Sequence, residues 1–137
     1  MTQNQPGPLF RAVTPYLAVH DAAAALEFYA RAFGAVELYR LPDLDGRISH
    51  AEMRLGGLPV MLSDEYPEIE VLSPQTLGGS PVMVILEVAD VDALFARAVA
   101  AGARLVRPLQ DGFDGKLRTA KVDDPFGHRW MLLTRRE

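Results

Sequence analysis

Three histidines, His20, His50 and His128, are the side chains of this 137-residue chain best suited to move a proton near neutral pH. Only His50 has a chemically useful neighbour. It lies two residues before Glu52, and residues at i and i+2 of a strand share a face. Such a pair could serve as acid and base. As a metal site it is thin, since a catalytic zinc typically takes about three protein ligands. His50 reads equally well as a cavity group or as a packed one. His20 abuts a helix cap and reads as surface, and His128 follows a turn and reads as structural. The serines Ser49, Ser63, Ser73 and Ser80 lie in no nucleophile elbow of the Gly-x-Ser-x-Gly type. Gly56-Gly57 and Gly78-Gly79 are turn glycines and match no phosphate-binding fingerprint.

The elements that must carry these residues follow from periodicity and punctuation. Phe10 to Val19 is rich in aromatic and β-branched residues and predicts a strand. Asp21 predicts a helix cap, Leu26, Tyr29 and Phe33 recur at helical spacing, and Gly34 stops the helix. Strands are expected over 36–41, 48–55 and 58–63. On 48–55, His50, Glu52 and Arg54 point one way and Ala51, Met53 and Leu55 the other. The order then recurs. Val82 to Val88 predicts a strand, Asp90 caps a helix over 91–101, and Gly102 stops it. Strands follow over 103–109, 117–122 and 128–134, with a turn over 110–115. Within Asp124-Pro125-Phe126-Gly127-His128, Pro125 drives Asp124 out of the helical region and Gly127 permits a tight turn. Matched positions lie 68 to 70 residues apart: Gly34 with Gly102, Thr14 with Met83, Gly57 with Gly127 and Met61 with Met131.

The chain thus reads as two βαβββ modules, 10–64 and 81–135, joined by an irregular connection over 65–80. Each half is too small to bury its own sheet, so the halves must combine into one compact α+β domain. The expected form is a curled mixed sheet around a cavity, with helices on the outer face. Hydrophobic residues make up 49%, ample for that core. The net charge of −4, without a basic run, argues against nucleic acid as a partner. The longest strongly apolar run, Val82 to Leu86, is far too short to span a membrane. No cysteine is present, so disulfides and thiolate metal sites are excluded, and a cytoplasmic location is expected.

The paired modules, Phe28-Tyr29 ahead of Phe33-Gly34, and the closing Asp124-Pro125-Phe126-Gly127-His128 resemble the vicinal oxygen chelate superfamily, which includes glyoxalase I, extradiol dioxygenases and bleomycin-resistance proteins. The resemblance runs from about Ala12 to Arg136. It is nearest to the PhnB-like branch, through Thr14-Pro15-Tyr16-Leu17, His50-Ala51-Glu52, Ser73-Pro74, Leu77-Gly78-Gly79-Ser80-Pro81-Val82 and Asp90 to Phe95. It implies four inner-face positions that hold a divalent metal in catalytic members. Those positions fall here on Thr14, Met61, Met83 and Met131, and none supplies the imidazole or carboxylate such a metal needs. Where PhnB-like relatives show Phe-x-Gly-Asp-Arg, this chain has Phe113-Asp114-Gly115-Lys116-Leu117.

The resemblance therefore implies a binder without metal or other cofactor. Its inner face would present Tyr16, His50, Glu52, Met61, Met83, Ile85, Glu87 and Met131 to a bulky, partly aromatic ligand such as an antibiotic. Glu87 fits either a polar anchor within the cavity or a position at its mouth. The rival expectation is a lyase, isomerase or dioxygenase with non-standard residues, for instance one using His50 and Glu52. A homodimer is expected, and the 65–80 connection is long enough to permit exchange of modules between chains.

Overall fold

The computed structural model describes residues 9–136. The first module runs β1 (Tyr16–Val19), α1 (Ala22–Phe33), β2 (Val36–Pro42), β3 (Ile48–Leu55) and β4 (Leu58–Asp64). A short 3-10 turn, Pro67–Ile69, and a one-turn helix α2, Pro74–Leu77, punctuate the connection. The second module repeats the order as β5 (Met83–Glu87), α3 (Val91–Ala101), β6 (Arg104–Gly112), β7 (Leu117–Asp123) and β8 (Arg129–Arg135).

Each module makes its own four-stranded sheet, in the orders β1-β4-β3-β2 and β5-β8-β7-β6. The first strand of each module pairs in parallel with the last, and the remaining pairs are antiparallel. The repeat extends to the caps. Asp21 accepts from Ala24 N at 3.1 Å and Asp90 from Ala93 N at 3.1 Å. The αL glycines Gly34 and Gly102 close the two helices.

The helices cover one side of each sheet and pack against each other there. Leu17, Val19, Met53, Leu62, Trp130 and Leu132 point into this shared core, with Phe28 and Tyr29 from α1. Trp130, from the second module, packs its ring at a tilt against Tyr29 and Phe33 of the first, with centroids 5.6 and 5.0 Å away. Beneath it, Asp124 is 4% exposed and fully engaged. Tyr29 Oη donates to its Oδ2 at 2.5 Å and Trp130 Nε1 to the same oxygen at 2.9 Å. Its Oδ1 accepts from Phe126 N and His128 N. A buried carboxylate is tolerable only with such complete pairing. Here the pairing also clasps α1 to the closing turn.

Two expected boundaries are corrected. The first strand begins at Tyr16, not Phe10, because no neighbouring strand pairs with 10–14; β propensity alone forms no strand. The strand over 103–109 extends to Gly112, and the turn is confined to 113–116. Two register shifts in the β6–β7 ladder absorb the extra length, and Phe113 and Asp114 turn the chain with positive φ. No helix among the described residues is long and apolar enough to cross a membrane.

Candidate functional site

Opposite the helices, each sheet presents a second face, and strand register assigns its residues. On the first sheet Tyr39 pairs with Glu52, Glu52 with Met61, and Met61 with Tyr16, so these four form one row across all four strands. On the second sheet Arg107 pairs with Lys121, Lys121 with Met131, and Met131 with Ile85. The two rows occupy matched positions of the repeat. Cross-strand partners share a face, so each row is a continuous strip of side chains. Both strips are open: Tyr16 is 49% exposed, Tyr39 42% and Ile85 54%.

The first strip carries a hydrogen-bonded chain. His50, beside Glu52 on β3, has Nδ1 2.9 Å from Tyr16 Oη and Nε2 3.1 Å from Tyr39 Oη. Tyr39 Oη in turn reaches Glu52 Oε1 at 3.4 Å. With the single Tyr39 proton directed at Glu52, His50 Nε2–H donates to Tyr39 Oη and Nδ1 accepts from Tyr16 Oη. The three rings form a tilted platform, with centroids 5.5 and 5.7 Å apart. Partial desolvation, then the charge and hydrogen bond of Glu52, hold the Tyr39 phenol above its ordinary pKa.

The connection folds over the edge of this strip. Tyr66, Ile69 and Val71 join Tyr16, Ser49 and Ser63 in a groove of about 200 Å³. A second recess of about 210 Å³ runs along the seam between the modules, lined by Tyr16, Val82, Val84, His128 and Arg129 among others. His128 Nε2 lies 2.8 Å from Ala18 O across that seam, so this histidine ties the second module to the first.

The residues expected to line one cavity thus fall on two faces. Tyr16, His50, Glu52 and Met61 lie on the first, and Met83, Ile85, Glu87 and Met131 on the second. Each quartet shares one face of its own sheet, and among the described residues no strand pairing joins the two sheets. Glu87 is exposed and accepts from Arg135 Nε at 2.9 Å. Sequence reasoning missed Tyr39, Arg107 and Lys121. The repeat could have found them: Lys121 matches Glu52, and Arg107 matches Tyr39.

A divalent metal does not fit the residues present. Among the described residues no three His, Asp or Glu side chains gather as a ligand set. Each strip's central pair has one thioether, Met61 beside Glu52 and Met131 beside Lys121, and a thioether suits soft metals.

Comparison with known proteins agrees with this architecture. The model of the Glyoxalase/Bleomycin resistance protein/Dioxygenase superfamily matches residues 10–132. An uncharacterized protein of Mycobacterium tuberculosis H37Rv is 48% identical over 124 residues, which is 88% of this chain and 72% of that protein. Among solved structures, TioX from Micromonospora sp. ML1 is 36% identical with a TM-score of 0.71, covering 93% of this chain and all of TioX. The fosfomycin resistance protein FosX from Listeria monocytogenes is 17% identical with a TM-score of 0.71, over 94% of this chain and 96% of FosX, a likeness of fold. The chain belongs to the Glyoxalase/Bleomycin resistance protein/Dioxygenase superfamily.

Proposed function

From that membership we propose that the chain is a metal-free, cytoplasmic binder that sequesters a bulky, partly aromatic small molecule, of the kind the bleomycin-resistance name denotes. The observation that carries this reading is the pair of matched strips. Each has a methionine near its centre, Met61 or Met131, and each leaves aromatic or apolar side chains in water. Exposed apolar area of this kind is usually a contact surface. Methionine and tyrosine together suit a broad, polarizable ligand. Tyr16, His50, Glu52 and Met61 would supply one wall, and Met83, Ile85, Glu87 and Met131 the other.

The walls lie on different sheets, so the reading includes a homodimer in which the first strip of one copy faces the second strip of another. The 65–80 connection is long enough to let modules exchange between copies.

Fluorescence titration with the uncharged dye Nile red tests the pocket. Saturable binding is expected, weakened by Tyr16→Ala and by Met131→Gln without loss of folded structure. Dye that binds neither tightly nor saturably, or that ignores both substitutions, refutes the pocket. Elemental analysis after dialysis tests the metal. No stoichiometric Ni, Zn, Fe or Mn is expected; about one equivalent per chain, lost in His50→Ala or Glu52→Ala, would overturn the metal-free reading.

A second reading, an acid–base enzyme, is favoured by one feature: His50 held between two phenols with Glu52 at the end of the chain. Its signature would be catalysed exchange of the methyl protons of acetophenone for deuterium, abolished by His50→Gln.

A further inference from the structure

We propose that Arg107 and Lys121 form an anion site on the second strip, and that the ligand is an aromatic acid whose carboxylate they hold. The anion site lies within one chain. That the ligand's ring rests on Tyr16, His50 and Tyr39 depends on the pocket proposed above.

Arg107 and Lys121 are direct cross-strand partners on the open face of β6 and β7. Like charges directly opposite each other repel, so the pairing costs stability unless an anion neutralises it. None among the described residues does so. Two acids on this face, Asp123 and Glu87, are already engaged. Asp123 is bound by Arg129 at 2.8 Å and Arg104 at 2.5 Å, and Glu87 by Arg135 at 2.9 Å. Arg129, then Arg104, hold the Asp123 carboxyl below its ordinary pKa, so it stays charged and committed to them. Arg107 and Lys121 enter no ion pair with any described carboxylate, although both are partly buried.

Arg107 is also held in position. Its Nη2 donates to Thr119 Oγ1 at 2.6 Å, and its Nη1 to Thr119 O at 3.4 Å and Pro108 O at 3.1 Å. These bonds fix the guanidinium plane and leave Nε–H and one Nη2–H free. A planar fork with free donors beside an ammonium suits a carboxylate. Met131, the next residue along the strip, supplies an apolar contact for the carbon skeleton bearing that group.

The first strip presents the opposite chemistry at the same positions. Tyr39 stands where Arg107 stands, and Glu52 where Lys121 stands. Glu52 has no cation within ion-pair reach among the described residues; its contact is Tyr39 Oη at 3.4 Å. The repeat has thus diverged into one strip of rings and acid and one of cations. An anion bound at the second strip would project its aromatic part toward rings able to stack on it.

Calorimetry with 2-naphthoate and its uncharged analogue 2-naphthamide tests the site. The acid is expected to bind about tenfold more tightly, as a hydrogen-bonded charge allows. That advantage should shrink between about 50 mM and about 300 mM salt, while naphthamide stays unchanged. Lys121→Gln and Arg107→Gln should each remove most of the preference, weakening naphthoate far more than naphthamide. Inorganic phosphate should compete with naphthoate but not with naphthamide. Equal affinities for acid and amide, or a preference that survives both substitutions, overturns the proposal. If Nile red still binds in that case, the sequestering pocket stands and only the anion site falls. If no probe binds, both fall. Should Glu52 of a second copy neutralise Lys121 directly, Glu52→Gln would weaken the dimer and wild-type protein would show no preference for the acid, which also overturns it.

Discussion

At the scale of single residues, Met61 and Met53 separate an open strip from a packed core. Met53 is fully buried beneath the helices, while Met61, one strand over, is partly exposed on the other face. Met61→Glu should therefore cost about 1 kcal/mol. Met53→Glu, which leaves an unpaired charge in the core, should cost several, about 3 kcal/mol or more. Urea midpoints of the two variants decide between them. Collapse of the fold at Met61→Glu alone would mean that the strip is core, and the pocket should then be abandoned. Tyr29 gives a pH signature. Burial, then the neighbouring Asp124 charge, holds its phenol well above the ordinary value of 10.0. Below about pH 10 both folded and unfolded chains keep this proton. Above it only the unfolded chain releases it, so stability falls as pH rises toward the folded value. The urea midpoint of the wild type should drop more between about pH 9 and about pH 10.5 than that of Tyr29→Phe. Parallel curves would show that this phenol contributes nothing to the alkaline limb.

At the scale of elements, side-chain clamps replace backbone pairing where the chain changes direction. Asp64, at the end of β4, accepts from Ala22 N at 2.7 Å and Ile48 N at 2.6 Å, fixing the start of α1 to the start of β3. Thr134, at the matched place in β8, accepts from Val91 N at 2.9 Å and donates to Val88 O. Arg97 of α3 caps the far end of α1 through Ala30 O and Arg31 O, which locks the two helices at one relative height. The closing turn carries the tightest constraint. Gly127 has φ +91°, and a Cβ there would lie 2.9 Å from Pro74 Cβ in α2. Gly46 has φ +90° with nothing within 4 Å. Gly46→Ala should cost about 1 kcal/mol of backbone strain alone. Gly127→Ala should cost about 2 kcal/mol or more, because α2 must also shift. Thermal unfolding by circular dichroism measures both. Equal losses would show that the connection is not docked on the turn.

For the whole molecule, each chain has one shared core and two open strips facing away from it. The pocket proposed above pairs these strips between two copies. Light scattering at micromolar concentration should give about twice the 15.0 kDa chain mass, and a monomer would refute the paired-strip pocket. Ile85→Glu, at the end of the second strip, should shift the equilibrium toward monomer while leaving the fold intact, since this residue is already 54% exposed.

The sequence by itself determined the two βαβββ modules, because each depends on local signals. Asp21 and Asp90 cap, Gly34 and Gly102 terminate, and alternation places His50 and Glu52 opposite Met53. These signals act over a few residues and survive without tertiary context. The same local logic misplaced the start of β1 and the end of β6, where a partner strand, not propensity, sets the boundary. Only the tertiary structure decided which residues meet. Tyr39 joins Tyr16, His50 and Glu52 through the register of β2 on β3, and a bulge between Glu37 and Tyr39 sets that register. Arg107 meets Lys121 through two further register shifts. Nothing in a single strand's pattern specifies its neighbour's register. That is fixed by the sum of packing beneath the sheet, where Trp130, Tyr29 and Asp124 bind the modules into one core.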